Sequence, residues 1–368
     1  MLSGELLREG EHVMTVCNAC RYCEAYCAMF PAMENRLTFT KGDLSYLANV
    51  CHNCGECLYA CQYAPPHEFA INVPRTLARI RLESYEEHCW PRPLAAAFRR
   101  NSLLTAASLA FAMMVVMFGA TRAVGGQLSR AEPAGDFYGV LPHDVMIAMF
   151  GAVGLFVAAA LVVGVLRFWR DVASAYSTTP SAGALARALR DALTLRYLQG
   201  DGEDCTAAEE RRTPWRRVFH HFTLYGFLLC FASTSVAALY HVGFGWIAPY
   251  GYASVPVVLG TMGGIGLLIG PTGLMALKQR RDPALGDPIQ DGMDVSLIAL
   301  LVLTSLTGLV LLVLRDQRFM GSLLIVHLGL VLALFLTLPY GKFVHGFYRT
   351  AALLKYRLED SGAGAQNL

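Results

Sequence analysis

Six long apolar blocks occupy most of the chain beyond residue 100. They run over roughly 102–120, 144–168, 219–241, 253–277, 294–314 and 322–344. Each approaches or exceeds the roughly 20 apolar residues a helix needs to cross the hydrocarbon of a bilayer. Their apolar residues are continuous rather than alternating, which predicts six membrane-spanning helices and no half-buried strands. The first hundred residues are polar and broken by prolines. There KGDLSYLANV sets Leu44, Leu47 and Ala48 at helical spacing, residues 1–16 suit a short helix, and NVPRTLARIRLESYEEHCWPRP reads as a charged helix ending at Pro91 and Pro93. The expected fold is mainly α: a small head over 1–90, a six-helix membrane bundle over 91–350 and a tail over 351–368.

The longest connection, 171–218, carries a further pattern. Leu185, Leu189 and Leu193 recur every four residues among Arg187, Arg190 and Asp191, predicting an amphipathic helix that lies on the membrane or under the head. The Gly- and Asp-rich turn GDGEDC follows it, with Cys205.

Composition agrees with this division. Hydrophobic residues make up 55% of the chain and the mean hydropathy is +0.41, too apolar for an ordinary soluble protein. A formal net charge of +2 implies no polyanionic partner, and no nucleic-acid signature is present. The positions of the cations say more. Arg99, Arg100, Arg167, Arg170, Arg216, Arg217, Lys278, Arg280, Arg281, Lys342 and Arg349 all flank the blocks on one side. Arg122, Arg130, Arg315 and Arg318 are left for the other. The positive-inside rule then sets both termini and the head in the cytoplasm. Residues 1–16 are mixed and charged, without the apolar run of a signal peptide.

Eight of the 11 cysteines fall in two identical runs within the head. CNACRYCEAYC holds Cys17, Cys20, Cys23 and Cys27; CHNCGECLYAC holds Cys51, Cys54, Cys57 and Cys61. Each reads C-x2-C-x2-C-x3-C, the spacing of bacterial two-cluster ferredoxins, in which three thiolates on one tight loop hold three corners of a cubane. Zinc sites pair two C-x2-C halves across a longer loop, so iron–sulfur chemistry is the better match. Two [4Fe-4S] clusters are expected in a two-cluster ferredoxin-like head. In the crossed arrangement Cys17, Cys20, Cys23 and Cys61 hold one cluster, and Cys51, Cys54, Cys57 and Cys27 the other. The residues after the fourth cysteines are Ala28 and Gln62, with prolines only later at Pro31 and Pro65, so the crossing is left open. Thiolate ligands also favour a reducing compartment. Cys89, beside Trp90, reads as structural.

The histidines suggest what the bundle carries. His220 or His221 and His241 sit near the ends of the third block, His327 and His345 near those of the sixth. Ionisable groups at membrane depth are functional candidates. His327 and His345 are 18 residues apart, five turns of one continuous helix, and share a face about 27 Å apart in level. On antiparallel helices His220 then meets the level of His345, and His241 that of His327. Such pairs suit one or two b-type haems held by imidazoles from facing helices. His143, at the outer start of the second block, reads as an interfacial residue or a quinone contact. The glycines of GTMGGIGLLIGPTG, Gly260 to Gly273, read as close helix packing with a kink at Pro271 rather than a phosphate loop. No nucleophile triad, carboxylate pair or nucleotide fingerprint is visible.

The duplicated cysteine runs, LRYLQGDGEDC and RRVFHHFTLYGFLLCFASTSVAALYH together resemble the tricarballylate-utilisation protein B family, the CitB-like citrate-utilisation B proteins, over nearly the whole length. The histidine layout is also similar to that of the membrane cytochrome b subunit of respiratory nitrate reductases. The resemblance implies an electron-transfer subunit in a bacterial inner membrane. Its partner would be a soluble FAD-dependent dehydrogenase that oxidises tricarballylate to cis-aconitate, and its acceptor the membrane quinone pool. The residues alone leave two competitors: a transporter or redox sensor carrying a cluster domain, and an iron–sulfur quinone reductase without haem.

Overall fold

The computed structural model describes residues 3–126, 128, 136–173, 181–199 and 213–366, the side chains of 199 and 361–366 excepted. Cys205 and its turn lie outside these residues. The described chain is helical with no strand.

The head is built from α1 (Gly4–Cys20), α2 (Met29–Glu34), α3 (Lys41–Val50), α4 (Glu56–Tyr59) and α5 (Val73–His88). Local chemistry starts these helices where they start. The Ser3 hydroxyl accepts from the Leu6 amide, Thr40 and Asp43 form a capping box on α3, and Asn72 caps α5 with Pro74 in its first turn. These groups satisfy amide donors that have no partner inside the helix. The first helix therefore runs from Gly4 past residue 16, longer than expected, and carries Cys17 and Cys20 on its last turn. Leu44, Leu47 and Ala48 face inward with Leu6, Met14, Met33, Leu77 and Ile80, all essentially inaccessible. Each such leucine is worth about 1.5–3 kcal/mol of burial.

A short helix α6 (Arg92–Arg100) leads into α7 (Ser102–Ala123). After α8 (Phe137–Val140) come α9 (His143–Ala173), the surface helix α10 (Ala182–Leu193), α11 (Trp215–Phe244), α12 (Val255–Gln279), α13 (Pro288–Val313) and α14 (Met320–Thr337); α15 (His345–Gln366) closes the chain. Among the described residues six helices, α7, α9, α11, α12, α13 and α14, are long and apolar enough to cross a membrane. Their outward side chains, such as Leu155, Phe231, Leu239 and Val313, are apolar and bare, as a surface solvated by lipid tails requires. This is a multi-pass membrane protein.

The sixth apolar block is not one continuous helix. It ends at Thr337, and a short 3-10 turn over Lys342–Val344 precedes α15. Pro339 has no amide hydrogen to donate and restricts the residue before it, so the helix stops there. The five-turn argument that put His327 and His345 on one face therefore fails: they sit on separate helices.

Glycines bring α11 and α12 together. A Cβ on Gly226 would stand 3.0 Å from the Gly263 carbonyl oxygen; one on Gly270 would meet Thr223 at 2.5 Å, and one on Gly273 the Phe219 ring at 2.4 Å. The glycine-rich stretch is thus a packing stripe.

Head and bundle share one core. Phe168 and Val172 of α9 and Tyr348, Ala351 and Ala352 of α15 are buried against α3 and α5 residues, with the Phe168 and Tyr348 rings stacked 4.9 Å apart. Residues 351–366 continue α15, and Glu359 on it pairs with Arg36 of the head at 2.7 Å. On α10 the buried stripe is Ala184, Ala188 and Asp191, with Asp191 paired to Arg357 of α15 at 2.6 Å. Leu185, Leu189 and Leu193 point away from the protein. The small alanines let α10 approach α15, so the leucines are left facing outward.

Candidate redox site

The two cysteine loops are shaped by backbone that few residues adopt. Arg21 ends α1 in the left-handed region (φ 54°), its amide donating to the Cys17 carbonyl, and Asn53 and Gly55 (φ 55° and 99°) turn the second loop. The Asn53 amide donates to Cys51 Sγ at 3.3 Å, and Gln62 Nε2 lies 4.0 Å from Cys20 Sγ. These reversals gather thiols that an extended chain would spread.

The grouping of the thiols is crossed. Burial first, and then the neighbouring thiols of Cys61, Cys23 and Cys20, push Cys17 up to about 12. Cys23 also reaches about 12, by burial and then by Cys61 and Cys20. Cys27 is driven well above its ordinary value by burial and by Cys54 and Cys51, and Cys57 by burial, by Cys54, Cys51 and Cys27, and least by Cys23 of the first loop. Cys61 thus joins the first loop and Cys27 the second. A cavity of about 240 Å³ is walled by Cys17, Cys20, Cys23, Cys57 and Cys61, and a smaller one by Cys27, Cys51, Cys54 and Cys57. Crowded thiols of this kind ionise when a multivalent cationic centre takes their charge. Among the described residues no three His, Cys, Asp or Glu side chains converge on a single-ion site. Zinc would draw four sulfurs to about 3.8 Å of one another through 2.3 Å bonds. Thiols spread around a cavity suit the corners of a cluster.

Below the second loop lies the main cavity, about 510 Å³, within the range of about 300–1,000 Å³ for cofactor pockets. Its wall includes His52, Asn53 and Cys54 from the loop, His220 and Arg216 from α11, Asp294 from α13, and Lys342, His345 and Arg349 from the break and α15. The His220 and His345 ring centroids are 6.0 Å apart, their planes at 70°. The His345 Nδ1 lies 2.6 Å from the Lys342 carbonyl oxygen, so Nδ1–H donates and Nε2 keeps its lone pair. Burial, with the Arg349 charge next, holds His345 well below its ordinary pKa, in the neutral form. His220 Nδ1 is buried without a hydrogen-bond partner among the described residues. With metal–imidazole bonds of about 2.0–2.1 Å, a separation of 6.0 Å would leave room for a metal centre held by this pair. His221 turns away, its ring 5.7 Å from Tyr225.

At the far end of the bundle the structure joins different partners. His241 stacks on His143, centroids 3.6 Å apart, with the Tyr138 ring edge-on to both. No ring contact joins His241 to His327 among the described residues. His143, expected as an interfacial residue or a quinone contact, is therefore the neighbour of His241; at 3.6 Å the two rings leave no room for a metal between them. His327 faces α13 instead. Thr307 donates its hydroxyl to the Leu303 carbonyl at 2.8 Å and accepts from His327 Nδ1 at 3.2 Å. Gly308 makes the space, since a Cβ there would meet His327 Cε1 at 2.9 Å.

Several residues of the main cavity were not singled out by sequence. His52 sits between Cys51 and Cys54, buried and held neutral by burial and by Arg349 and Arg216. Asp294 bridges Lys278 at 2.7 Å and Lys342 at 2.9 Å. The signal available was a carboxylate at the edge of an apolar block, but its two lysines are distant in sequence.

Comparison with known proteins gives a concordant result. The family described as "Citrate utilization protein B" matches residues 96–366, and its "Fer4-like domain" matches residues 10–87. The protein named citrate utilization protein B from Escherichia coli is 52% identical over 352 residues, 95% of this chain and 92% of that one. No solved structure gives a significant match. An iron–sulfur head of this type on a membrane bundle indicates an electron-transfer or related role. The chain belongs to the citrate utilization protein B family.

Proposed function

We propose that this protein is a membrane-bound electron-transfer subunit that reoxidises the reduced flavin of a soluble dehydrogenase and delivers the electrons to membrane quinone. By resemblance the dehydrogenase acts on tricarballylate. The flavin gives up two electrons and two protons, and the quinone takes up two of each on becoming quinol. Two [4Fe-4S] clusters at Cys17, Cys20, Cys23, Cys61 and at Cys27, Cys51, Cys54, Cys57, with b-type haem at His220 and His345, supply one-electron carriers when bound.

The observation that carries this reading is the shared wall. Cys54 of the second loop and the facing imidazoles of His220 and His345 line one cavity. The exposed loops around Cys20 and Gln62 give the first set its access to a soluble partner, whereas the second set is enclosed. The head belongs in the cytoplasm of a bacterium, with the bundle in its inner membrane. Arg167, Arg216, Arg281 and Arg349 all bond to head residues, so the basic flanks and the head share a side.

A second haem at His241 and His327 draws no support from the ring contacts, since His241 stands against His143 and His327 bonds Thr307. The haemless reading has one observation in its favour: the Lys278–Asp294–Lys342 chain on the cavity wall could serve proton delivery to a quinone bound there. A dithionite-reduced minus oxidised spectrum of the purified protein in detergent decides. The relay predicts a b-type α-band, and haem extraction counts one or two per chain. Intact iron–sulfur signals without that band would discard haem and leave the quinone-cavity reading.

A further inference from the structure

Four guanidinium groups from four separate elements converge on the carbonyl oxygens of the loop that carries Cys51 and Cys54. Arg81 of α5 donates to Ala48 O and Cys51 O, both at 2.6 Å. Arg349 of α15 donates to the same Cys51 oxygen at 2.9 Å. Arg216 of α11 reaches His52 O at 2.8 Å and Asn53 O at 3.0 Å, and Arg281, beyond α12, reaches Asn53 O at 2.9 Å. No carboxylate pairs with Arg81, Arg281 or Arg349 among the described residues. The nearby Asp294 is committed to Lys278 and Lys342. Burial, and then the neighbouring guanidiniums, lower Arg281 and Arg349 to about 10, which leaves both charged at neutral pH.

A helical hairpin could be docked on a bundle with apolar contacts alone. Burying several cations around one loop is costly unless a negative group is present to meet them. The four thiolates of a cluster are such a group, and the charge grows by one with each electron taken up. Glu56, buried between Cys54 and Cys57, sets one negative charge against the four guanidiniums, whereas at the first cysteine set the charged neighbours, Arg21 and Glu24, are exposed, where water and salt screen them.

We propose that Arg81, Arg216, Arg281 and Arg349 form a collar that raises the reduction potential of the cluster held by Cys27, Cys51, Cys54 and Cys57 above that of the one held by Cys17, Cys20, Cys23 and Cys61. The collar stabilises the extra negative charge of the reduced state, so an electron entering the head settles beside the His220 and His345 cavity. This rests on the relay reading for the presence of both clusters. The arginines are positioning residues: they act on the cluster through its surroundings and ligate nothing.

The test is an EPR-monitored redox titration of the full-length protein in detergent, with the two signals assigned by Cys54→Ala and Cys20→Ala. Two wild-type signals check the underlying reading by themselves. Arg349→Gln and Arg281→Gln each change the reduced-to-oxidised ratio of the second cluster about tenfold at fixed potential, a fall of about 59 mV for one electron, with the first cluster unmoved. Arg349→Lys and Arg281→Lys keep the charge and stay near wild type. Unshifted potentials in both glutamine variants overturn the collar. Loss of iron from both glutamine variants also overturns it, because the arginines would then be a structural clamp.

Discussion

The imidazoles of His220 and His345 face one another with ring centroids 6.0 Å apart, across a cavity that reaches up to Cys54. His220 belongs to a bundle helix and His345 begins the helix that braces the head. A single change in how the head docks would therefore move one imidazole against the other.

Replacing either ring removes what the pair holds. His220→Ala and His345→Ala are each expected to abolish the b-type α-band assigned to this cavity, while His221→Ala retains it because its ring faces Tyr225. Reduced-minus-oxidised spectra of the three variants at matched protein concentration check this. A band lost in His221→Ala and kept in His220→Ala would reverse the assignment.

The thiol grouping makes a pairwise prediction. Cys61→Ala should remove the same EPR signal as Cys20→Ala, and Cys27→Ala the same signal as Cys54→Ala, with iron content falling by about half each time because one of two clusters is lost. If Cys27→Ala instead behaved like Cys20→Ala, each loop would bind its own cluster and the crossing would be wrong.

Close packing of α11 on α12 sets the height of His220. A Gly273→Val side chain would overlap the Phe219 ring, one residue from His220. Overpacking of this kind costs about 1–3 kcal/mol, read as a lower thermal midpoint in detergent, and the displaced helix should weaken the His220 signal as well. Gly119, which has open space around it, serves as the control: Gly119→Ala should change neither.

The brace between head and C-terminal helix depends on buried charge. Arg36 lies between Asp43 at 2.6 Å and Glu359 at 2.7 Å, all three almost inaccessible. Glu359 also pairs with buried Lys355 at 3.7 Å, so Glu359→Gln leaves two buried cations, Arg36 and Lys355, against the single Asp43 carboxylate and should cost about 3–5 kcal/mol. Burial pushes the Asp43 carboxyl up, but the Thr40 hydroxyl bond, the Arg36 bond and the Arg36 charge outweigh it and hold the pKa below the ordinary 3.8. The folded value is depressed, so Asp43 contributes stability in full above pH 3.8 and loses it as pH falls through the lower folded value. Asp43→Asn is therefore destabilising at neutral pH and converges on wild type in strong acid. Denaturant midpoints of the two proteins across this range measure the difference; a constant gap at every pH would rule the carboxylate out.

Much of the molecule was legible from residue patterns because the causes are local. Six apolar blocks, the duplicated cysteine runs, the packing glycines and the helix over Leu44 and Leu47 follow from periodicity and spacing along one segment. The stop at Pro339 was also local, yet it was overridden by the continuous hydropathy around it, and with it went the supposed common face of His327 and His345. The leucine stripe on α10 was read correctly as amphipathic, but which stripe would meet protein depended on the alanines that α15 could approach.

By itself the sequence determined the division into a cysteine-bearing head and a helical membrane bundle, since ligand spacing and hydrophobic run length act within single segments. Only the tertiary structure decided which residues meet: Cys61 with the first loop, His220 with His345, His241 with His143, and four arginines on the Cys51–Asn53 carbonyls. Those contacts join elements as far apart as residues 51 and 349. They are selected by how buried charge, unpaired carbonyls and close helix faces are satisfied together, and no stretch of chain contains that information alone.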